Sequence, residues 1–411
     1  MIKRKLLSEL KDHLDKPEIS LIVGPRQAGK TTLMRQLQDY LKSKNKKTVF
    51  LSLDVDTDRP YFDSQERFLK KIELEIGKQK GYVFVDEIQR KENAGLFLKG
   101  LYDRDLPYKL IVSGSGSVEL KEKIHESLVG RKRIFDLGTV TFMEFVSFKT
   151  DYKYESKLRA FLDLEKMKLE SLFVEYLSFG GYPRVVLAET INEKRRVMGE
   201  IYQGYIQKDI AYLLRVKKVD TLTDLVFVLA NQVGGTVNLS ELSSTLGIAH
   251  ETVSNYLWYL RQTFIVSKIT PFFRNARKEL TKSPIYYFGD LGLLNYAKRD
   301  FELKERGRDN GHLFENFVYL LLRDKVTMPA GVHFYRTKDG AEVDFVIDKG
   351  KDVEAMEVKF KKLTEPKISR SFRYFLKRYK PLRAVVVHLG ERFEKEFEGR
   401  RVEFVPYWEL I

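Results

Sequence analysis

Through the first 150 residues, short apolar runs alternate with stretches of helical spacing. Ile19 to Val23 is an apolar run that reads as a buried strand. From Thr31 to Leu41 the period changes, and Leu33, Leu37 and Leu41 fall on one helix face. Thr48 to Leu53 predicts a second strand, ending at Asp54. Tyr82 to Val85 predicts a third, followed at once by Asp86 and Glu87. Leu110 to Val112 and Ile134 to Leu137 predict two more, with a helix between them running to about Val129. Residues 1 to 15 read as an amphipathic helix leading into the first strand. Strands alternating with helices predict a parallel α/β domain over residues 1–150.

The pattern then turns helical. Leu158, Phe161 and Leu162, and later Leu172, Phe173, Tyr176 and Leu177, keep helical spacing across residues 151–230. Gly180-Gly181-Tyr182-Pro183-Arg184 interrupts them. Ser240 to Gly247 and Ala249 to Leu260 read as two helices joined by a glycine turn. Strand-like Phe264 to Thr270 and Ile285 to Phe288 follow, joined by a basic loop with Arg274, Arg277, Lys278 and Lys282. That order predicts a winged helix over residues 231–300. Its second helix offers His250, Glu251, Thr252, Ser254 and Asn255 to DNA, although such modules also serve only for packing. Residues 308–411 predict a last α/β domain: a helix from Leu313 to Arg323, the strand Glu342 to Ile347, a turn at Gly350, and the strand Val353 to Phe360. Lys367 to Lys380 is a basic amphipathic helix, and Ala384 to Val387 a buried strand.

Composition narrows the function. A chain of 411 residues exceeds a single core. The formal charge of +15 favours a polyanionic partner, nucleic acid first. There is no cysteine, which excludes disulfides and thiolate metal sites, and six scattered histidines make zinc a poor expectation. No apolar run is long enough to span a membrane, so a cytoplasmic protein is expected.

The candidate chemistry begins between the first strand and its helix. Gly24, Pro25, Arg26, Gln27, Ala28, Gly29, Lys30, Thr31 and Thr32 satisfy G-x-x-x-x-G-K-[ST]. The amides of such a loop converge on an anion, and the following helix adds positive charge at its N-terminus. Lys30 is expected at the β- and γ-phosphates of ATP, and Thr31 on Mg²⁺. Asp86 is expected to bind Mg²⁺ through water, and Glu87 to activate the attacking water. Ser113, or alternatively Ser115, ends a strand where it can touch the γ-phosphate or that water. Arg131, just before the fifth strand, is expected at the rim of the nucleotide site, serving a neighbouring subunit as an arginine finger. That role implies an oligomer.

In the last domain, a hairpin about Gly350 places Asp344 opposite Met356 and Glu357, with Lys359 further along the same side. Paired carboxylates hold a hard divalent cation, and a lysine beside them steadies charge on a phosphate. Lys367, Arg370, Lys377 and Lys380 present a basic face, suited to DNA phosphates or simply to solvent.

The motif order resembles the AAA+ branch of P-loop ATPases. Gly-Pro-Arg-Gln-x-Gly-Lys-Thr-Thr, Asp-Glu-Ile-Gln, and Gly130-Arg131 followed by Phe142-x-Glu144-Phe145 resemble archaeal and bacterial ATPases that carry a C-terminal domain of unknown function. The resemblance implies a helical lid over residues 151–230, with Gly181 and Pro183 near adenine and Arg184 sensing the γ-phosphate. The Asp, Glu-x-Lys hairpin resembles the PD-(D/E)XK nuclease fold of restriction enzymes. It implies a restriction-endonuclease-like domain with Glu315, Asp344 and Glu357 as ligands of Mg²⁺ or Mn²⁺, and Lys359 beside them. Val343 stands where that family often has proline. The expected function is an Mg²⁺-dependent ATPase acting on or near DNA, with a metal-dependent nuclease domain. The alternative is a nucleotide-state switch or DNA-binding regulator whose C-terminal domain binds without catalysis.

Overall fold

A computed structural model describes residues 1–115, 128–210, 219–273, 282–303, 308–337 and 339–410. The expected helix before Val129 and the basic loop with Arg274, Arg277 and Lys278 lie largely outside these residues. The chain divides into two compact units. The first comprises Met1–Lys153, Gly181–Val197 and Trp258–Ile265, and the second Tyr154–Gly180, Met198–Leu257 and Val266–Ile411. The division crosses the expected boundaries. The stretch expected as a lid is shared between the units, because Gly181–Val197 folds onto the P-loop domain while the helices flanking it pack elsewhere.

The first unit is built on a five-stranded parallel sheet: β1 Ile19–Gly24, β2 Thr48–Ser52, β3 Gly81–Asp86, β4 Tyr108–Ser115 and β5 Lys132–Asp136, in the order β2-β3-β4-β1-β5. Both faces are covered, which is why β1 and β3 are buried at every position. One face packs Leu21, Val23, Val83 and Val85 against helices Gln65–Ile76 and Ala94–Tyr102 through Phe68, Ile72, Phe97 and Leu98. The other packs Ile22, Phe84 and Ile111 against Leu33, Met34 and Leu37 of helix Lys30–Ser43, and against Leu10 of helix Leu6–Asp12. That first helix is shorter than the sequence predicts. Residues 2 to 5 precede it, with Ile2 buried, and tie the N-terminus to the domain.

The second unit carries a six-stranded mixed sheet: β8 Gly331–Arg336, β9 Glu342–Asp348, β10 Val353–Val358, β11 Arg383–His388, β12 Phe393–Phe397 and β13 Arg400–Pro406, in the order β12-β13-β11-β10-β9-β8. β8, β9 and β10 form an antiparallel meander, and β11 joins β10 in parallel. Helix Arg370–Tyr379 inserts Phe372, Phe375 and Leu376 into the core with Val343, Ala355 and Val386.

Helices Leu239–Leu246 and His250–Gln262 follow the predicted order, with Gly247 between them at φ +63°, a conformation that suits glycine at a helix end. The pair β6 Val266–Ile269 and β7 Ile285–Phe288 is antiparallel. It is not a free wing. Beyond β6 the chain joins the edge of the large sheet, where Pro271 pairs with Phe334 and the Phe272 amide donates to the Phe334 carbonyl at 2.6 Å. Phe272 itself lies in the core of that sheet. Tyr287 of β7 stacks on Tyr319 and meets Phe345. At the other end of the chain Tyr407 stacks on Phe173, and the Trp408 indole donates to Asp163.

Candidate functional site

Because the strands of the first unit are parallel, Gly24, Asp86 and Ser113 come together near their C-terminal ends. Gly24 tolerates no side chain: a Cβ there would lie 2.1 Å from the Leu137 carbonyl oxygen. The loop reaches its helix through Gln27 at φ +59° and Gly29 at φ +94°, with Ala28 between them. Alternation of this kind turns successive amides into one concave surface.

Lys30 is 5% exposed, and its ammonium donates to the carbonyls of Gly24 at 3.1 Å and Pro25 at 2.9 Å. Burial lowers its pKa to about 8, against the opposing pull of Glu87 and Asp86. The Thr31 hydroxyl donates to Asp86 Oδ2 at 2.7 Å, and Ser113, fully buried, donates to Asp86 Oδ1. Ser113 also accepts the Glu87 amide at 3.3 Å. Ser113 thus touches the Asp-Glu pair, and the side chain of Ser115 lies outside the described residues. Glu87 has a left-handed backbone, φ +58° and ψ +42°, which costs a residue with a side chain about 1–2 kcal/mol. Gln89 donates to its carboxylate. The bonds from Thr31 and Ser113 occupy both oxygens of Asp86, and the positive φ at Glu87 turns the chain out of the strand.

Gly181 packs against the turn after β5, the Val140 amide donating to its carbonyl at 2.7 Å. This brings Pro183 to within 3.8 Å of a Cβ built on Gly29, and Arg184 to 3.3 Å from Gln27 Oε1. Arg26, Thr31 and Thr32 are exposed, Pro25 and Ala28 buried.

Arg131 is elsewhere. β5 runs parallel to β1 with Lys132 beside Ile19, so Arg131 lies at the opposite end of the sheet, about 20 Å along the strands from Gly24. It pairs there with Asp103 at 2.6 Å. The expectation that it lines the rim of its own nucleotide site is therefore corrected: the residue before a parallel strand lies at the end away from the P-loop.

In the second unit the register is the one predicted. Phe345 pairs with Met356, and one step further Asp344 stands opposite Glu357. Asp344 Oδ2 accepts the Val358 amide at 2.6 Å. Glu357 is 5% exposed and bonded to Lys359 at 2.7 Å and to the Ser369 hydroxyl at 3.0 Å. Glu315, on helix Arg308–Lys325, accepts from the Tyr287 hydroxyl and lies 3.4 Å from His312. The four groups share one field. Burial first, then Glu315, pushes the Asp344 carboxyl well above its ordinary range, while for Lys359 burial pulls downward and Glu357 and Asp344 together outweigh it, so that its pKa is raised. The set differs from the expectation in one respect. Among the described residues, no three His, Asp or Glu side chains are grouped to hold a metal ion. Each carboxylate is engaged by a protein donor instead.

Several contributors had no local sequence signal. Tyr287 reaches Glu315 only through tertiary packing, and Ser369 reaches Glu357 from the N-cap of its helix, whereas His312 meets Glu315 at the local spacing of three residues on one helix. Arg4 and Glu144 stand at the P-loop. A capping box, Thr141 followed by Glu144, was readable for the second of them.

His250, Glu251, Ser254 and Asn255 are exposed on their helix, and Thr252 is half-buried. Lys367, Arg370, Lys377 and Lys380 are exposed, with Lys377 paired to Glu398 at 2.6 Å. Among the described residues no helix is long and apolar enough to cross a membrane.

Residues 16–146 match the family described as "AAA domain", while 170–304 and 310–410 match two families described as domains of unknown function. An uncharacterized protein of Methanocaldococcus jannaschii is 26% identical, covering 95% of this chain and 87% of that protein. One of Haemophilus influenzae is 25% identical over 100% and 99%. One of Mycobacterium tuberculosis is 27% identical over 95% and 80%. Among solved structures, Aeropyrum pernix Orc1 in complex with DNA is 13% identical, with a TM-score of 0.26 over 72% of this chain and 91% of its own. Pyrobaculum aerophilum Cdc6p is 11% identical, with a TM-score of 0.29 over 77% and 96%. The match over 16–146, the sheet order and the P-loop agree: this part of the chain is an AAA domain with the P-loop ATPase fold.

Proposed function

We propose that the protein is a cytoplasmic, Mg²⁺-dependent ATPase acting on or near DNA, with a nuclease-like site in its C-terminal sheet. The observation that carries this reading is the cluster at the strand ends, where Lys30, Thr31, Asp86, Ser113 and Glu87 converge behind a loop shaped for an anion. The hard oxygens of Thr31 and Asp86 suit Mg²⁺, and these two would hold it. When bound, the ion would draw charge from the phosphates. Lys30 places a buried positive charge where phosphate oxygens arrive. Ser113 and Thr31 fix the Asp86 carboxylate, and Gln89 steadies Glu87, which accepts the proton of the attacking water. Arg184, bonded to the loop, senses whether the loop is filled.

In the second unit, Asp344 and Glu357 would hold Mg²⁺ or Mn²⁺ with Glu315 behind them, and Lys359 would face a phosphate. The exposed basic face around Arg370 and the charge of +15 support DNA as the polyanion. The engagement of each of the three carboxylates by a protein donor favours a second reading, a binding module without cleavage. Arg131, on the edge away from its own P-loop, is free to serve a neighbouring subunit only after leaving Asp103.

The test is purified protein given ATP and single-stranded, duplex and branched DNA, with and without Mg²⁺ or Mn²⁺. Metal-dependent phosphate release with strand cleavage supports both sites. Phosphate release with binding but no cleavage supports the second reading. No ATP binding sinks the proposal.

A further inference from the structure

Arg4 lies ahead of the first helix, in a segment where the sequence predicted only a helix face. Its guanidinium is nearly buried, the side chain 8% exposed. Nε donates to Glu144 at 2.9 Å, Nη1 to the Ala28 carbonyl at 3.0 Å, and Nη2 to the carbonyls of Gly138 at 2.8 Å and Thr139 at 3.0 Å. Glu144 is saturated in turn. It also accepts the amides of Lys5 at 2.7 Å and Thr141 at 2.9 Å. One planar fork thus joins the N-terminal segment, the turn after β5, the following helix and the P-loop.

The bond to Ala28 has a consequence one residue on. In a trans peptide the carbonyl and the next amide point to opposite sides of one plane. With the Ala28 carbonyl held by Arg4, the Gly29 amide is turned the other way, off the Arg4 side. Gly29 is the glycine just before Lys30, and because it lacks a Cβ, as its positive φ requires, that peptide is free to rotate unless something fixes it. A charge-assisted bond from a buried guanidinium does so.

We infer that Arg4, anchored by Glu144, is a positioning residue for the phosphate-binding loop: it orients the Ala28–Gly29 peptide so that the Gly29 amide is presented to the polyphosphate of the nucleotide. The inference rests on the ATP reading above. It assigns a role to the Phe142-x-Glu144-Phe145 stretch, and it makes residues 1 to 5 part of the nucleotide site.

The experiment is calorimetric binding of ATP and of adenosine to the full-length protein and to Arg4→Ala, Arg4→Lys, Glu144→Gln and Lys30→Ala, with melting temperature measured without nucleotide. Arg4→Ala is expected to weaken ATP by about 10-fold or more and to leave adenosine affinity unchanged, because only the phosphates use the Gly29 amide. Arg4→Lys, able to reach one carbonyl but not all its partners, should recover part of the loss. Glu144→Gln has one acceptor oxygen where the carboxylate had two, so it keeps only the bonds to one of them and loses the charge, and should weaken ATP in the same direction; should Arg4→Ala fail to fold, this variant decides. A folded Arg4→Ala protein that binds ATP like the parent, while Lys30→Ala does not, overturns the inference and leaves the ATP reading intact. Equal losses for ATP and adenosine overturn it as well, since a general structural defect gives that result. A parent that binds no ATP removes both.

Discussion

Around Lys30 the chain gathers its site from one continuous loop, Gly24–Thr32, and the tips of two neighbouring strands, whereas around Asp344 it draws on side chains from Tyr287 to Ser369. The first site buries a cation against carbonyls, and its amides come ready-made from the backbone. The second buries carboxylates, and each finds a donor within the protein. An anion entering the first site meets a loop already shaped for it, and only Lys30 must turn from the carbonyls of Gly24 and Pro25. A cation entering the second must displace Lys359 from Glu357 or draw Glu315 off Tyr287. The two halves of the proposed function thus differ in how much rearrangement binding demands.

The strongest way to sharpen this contrast is at the P-loop. Lys30→Ala is expected to lower ATP affinity or turnover by about 100-fold or more, measured by calorimetry and phosphate release. Glu87→Gln should bind ATP like the parent yet hydrolyse it about 100-fold more slowly, since binding does not use the base. Parental hydrolysis by Glu87→Gln would show that another group activates the water.

At the second site, saturating Mn²⁺ should raise the melting temperature through mass action, because binding stabilises the folded state by about 3 kcal/mol at 100 times the dissociation constant. Asp344→Asn should abolish that rise and any cleavage while ATP hydrolysis continues. Should Mn²⁺ leave the melting curve of the parent unmoved, the carboxylates are structural.

A smaller effect lies in pH. Lys30 has its pKa depressed to about 8 from 10.5. The empty site therefore begins to lose its charge as pH rises through 8, and a bound polyphosphate pulls the proton back. ATP affinity should fall between pH 7 and 9, with proton uptake on binding near pH 8. Buffers of different ionisation enthalpy measure that uptake, and its absence would place the lysine in water.

His388, fully buried, accepts the amides of Gly390 at 3.0 Å and Leu363 at 3.3 Å through Nδ1, and its Nε2 has no hydrogen-bond partner among the described residues. Burial lowers its pKa below the ordinary 6.5. The unfolded chain therefore binds the proton more readily. This contribution is complete above pH 6.5 and is lost as pH falls through the folded pKa. His388→Asn keeps an acceptor without the titration, so denaturant melts at pH 7.5 and 5.5 should differ less for it than for the parent. The smallest effect belongs to Arg131→Ala, whose half-exposed pair with Asp103 contributes at most about 1 kcal/mol. Mixing this variant with Lys30→Ala subunits restores activity only if sites form between subunits.

The strands of the first unit and the order of its motifs were legible because buried parallel strands read as apolar runs and the P-loop is continuous. The Asp344–Glu357 pairing was legible for a related reason: a hairpin turn fixes its register. Arg131 misled because position next to a strand does not say which end of the sheet the residue occupies. Tyr287, Ser369 and Arg4 were not legible at all. Each acts on a partner distant in sequence, and no local period encodes that distance.

The pairing of Phe272 with Phe334 bears on how the protein can be dissected. A fragment beginning at Arg308 would leave β8 with a bare edge, a core lacking Phe272, and a half-buried Glu315 stripped of Tyr287. Unpaired edges and emptied sockets favour aggregation over folding. Limited proteolysis ahead of Arg308 should accordingly yield two pieces that stay together until denatured. The C-terminal sheet is a unit of sequence similarity without being a unit of folding.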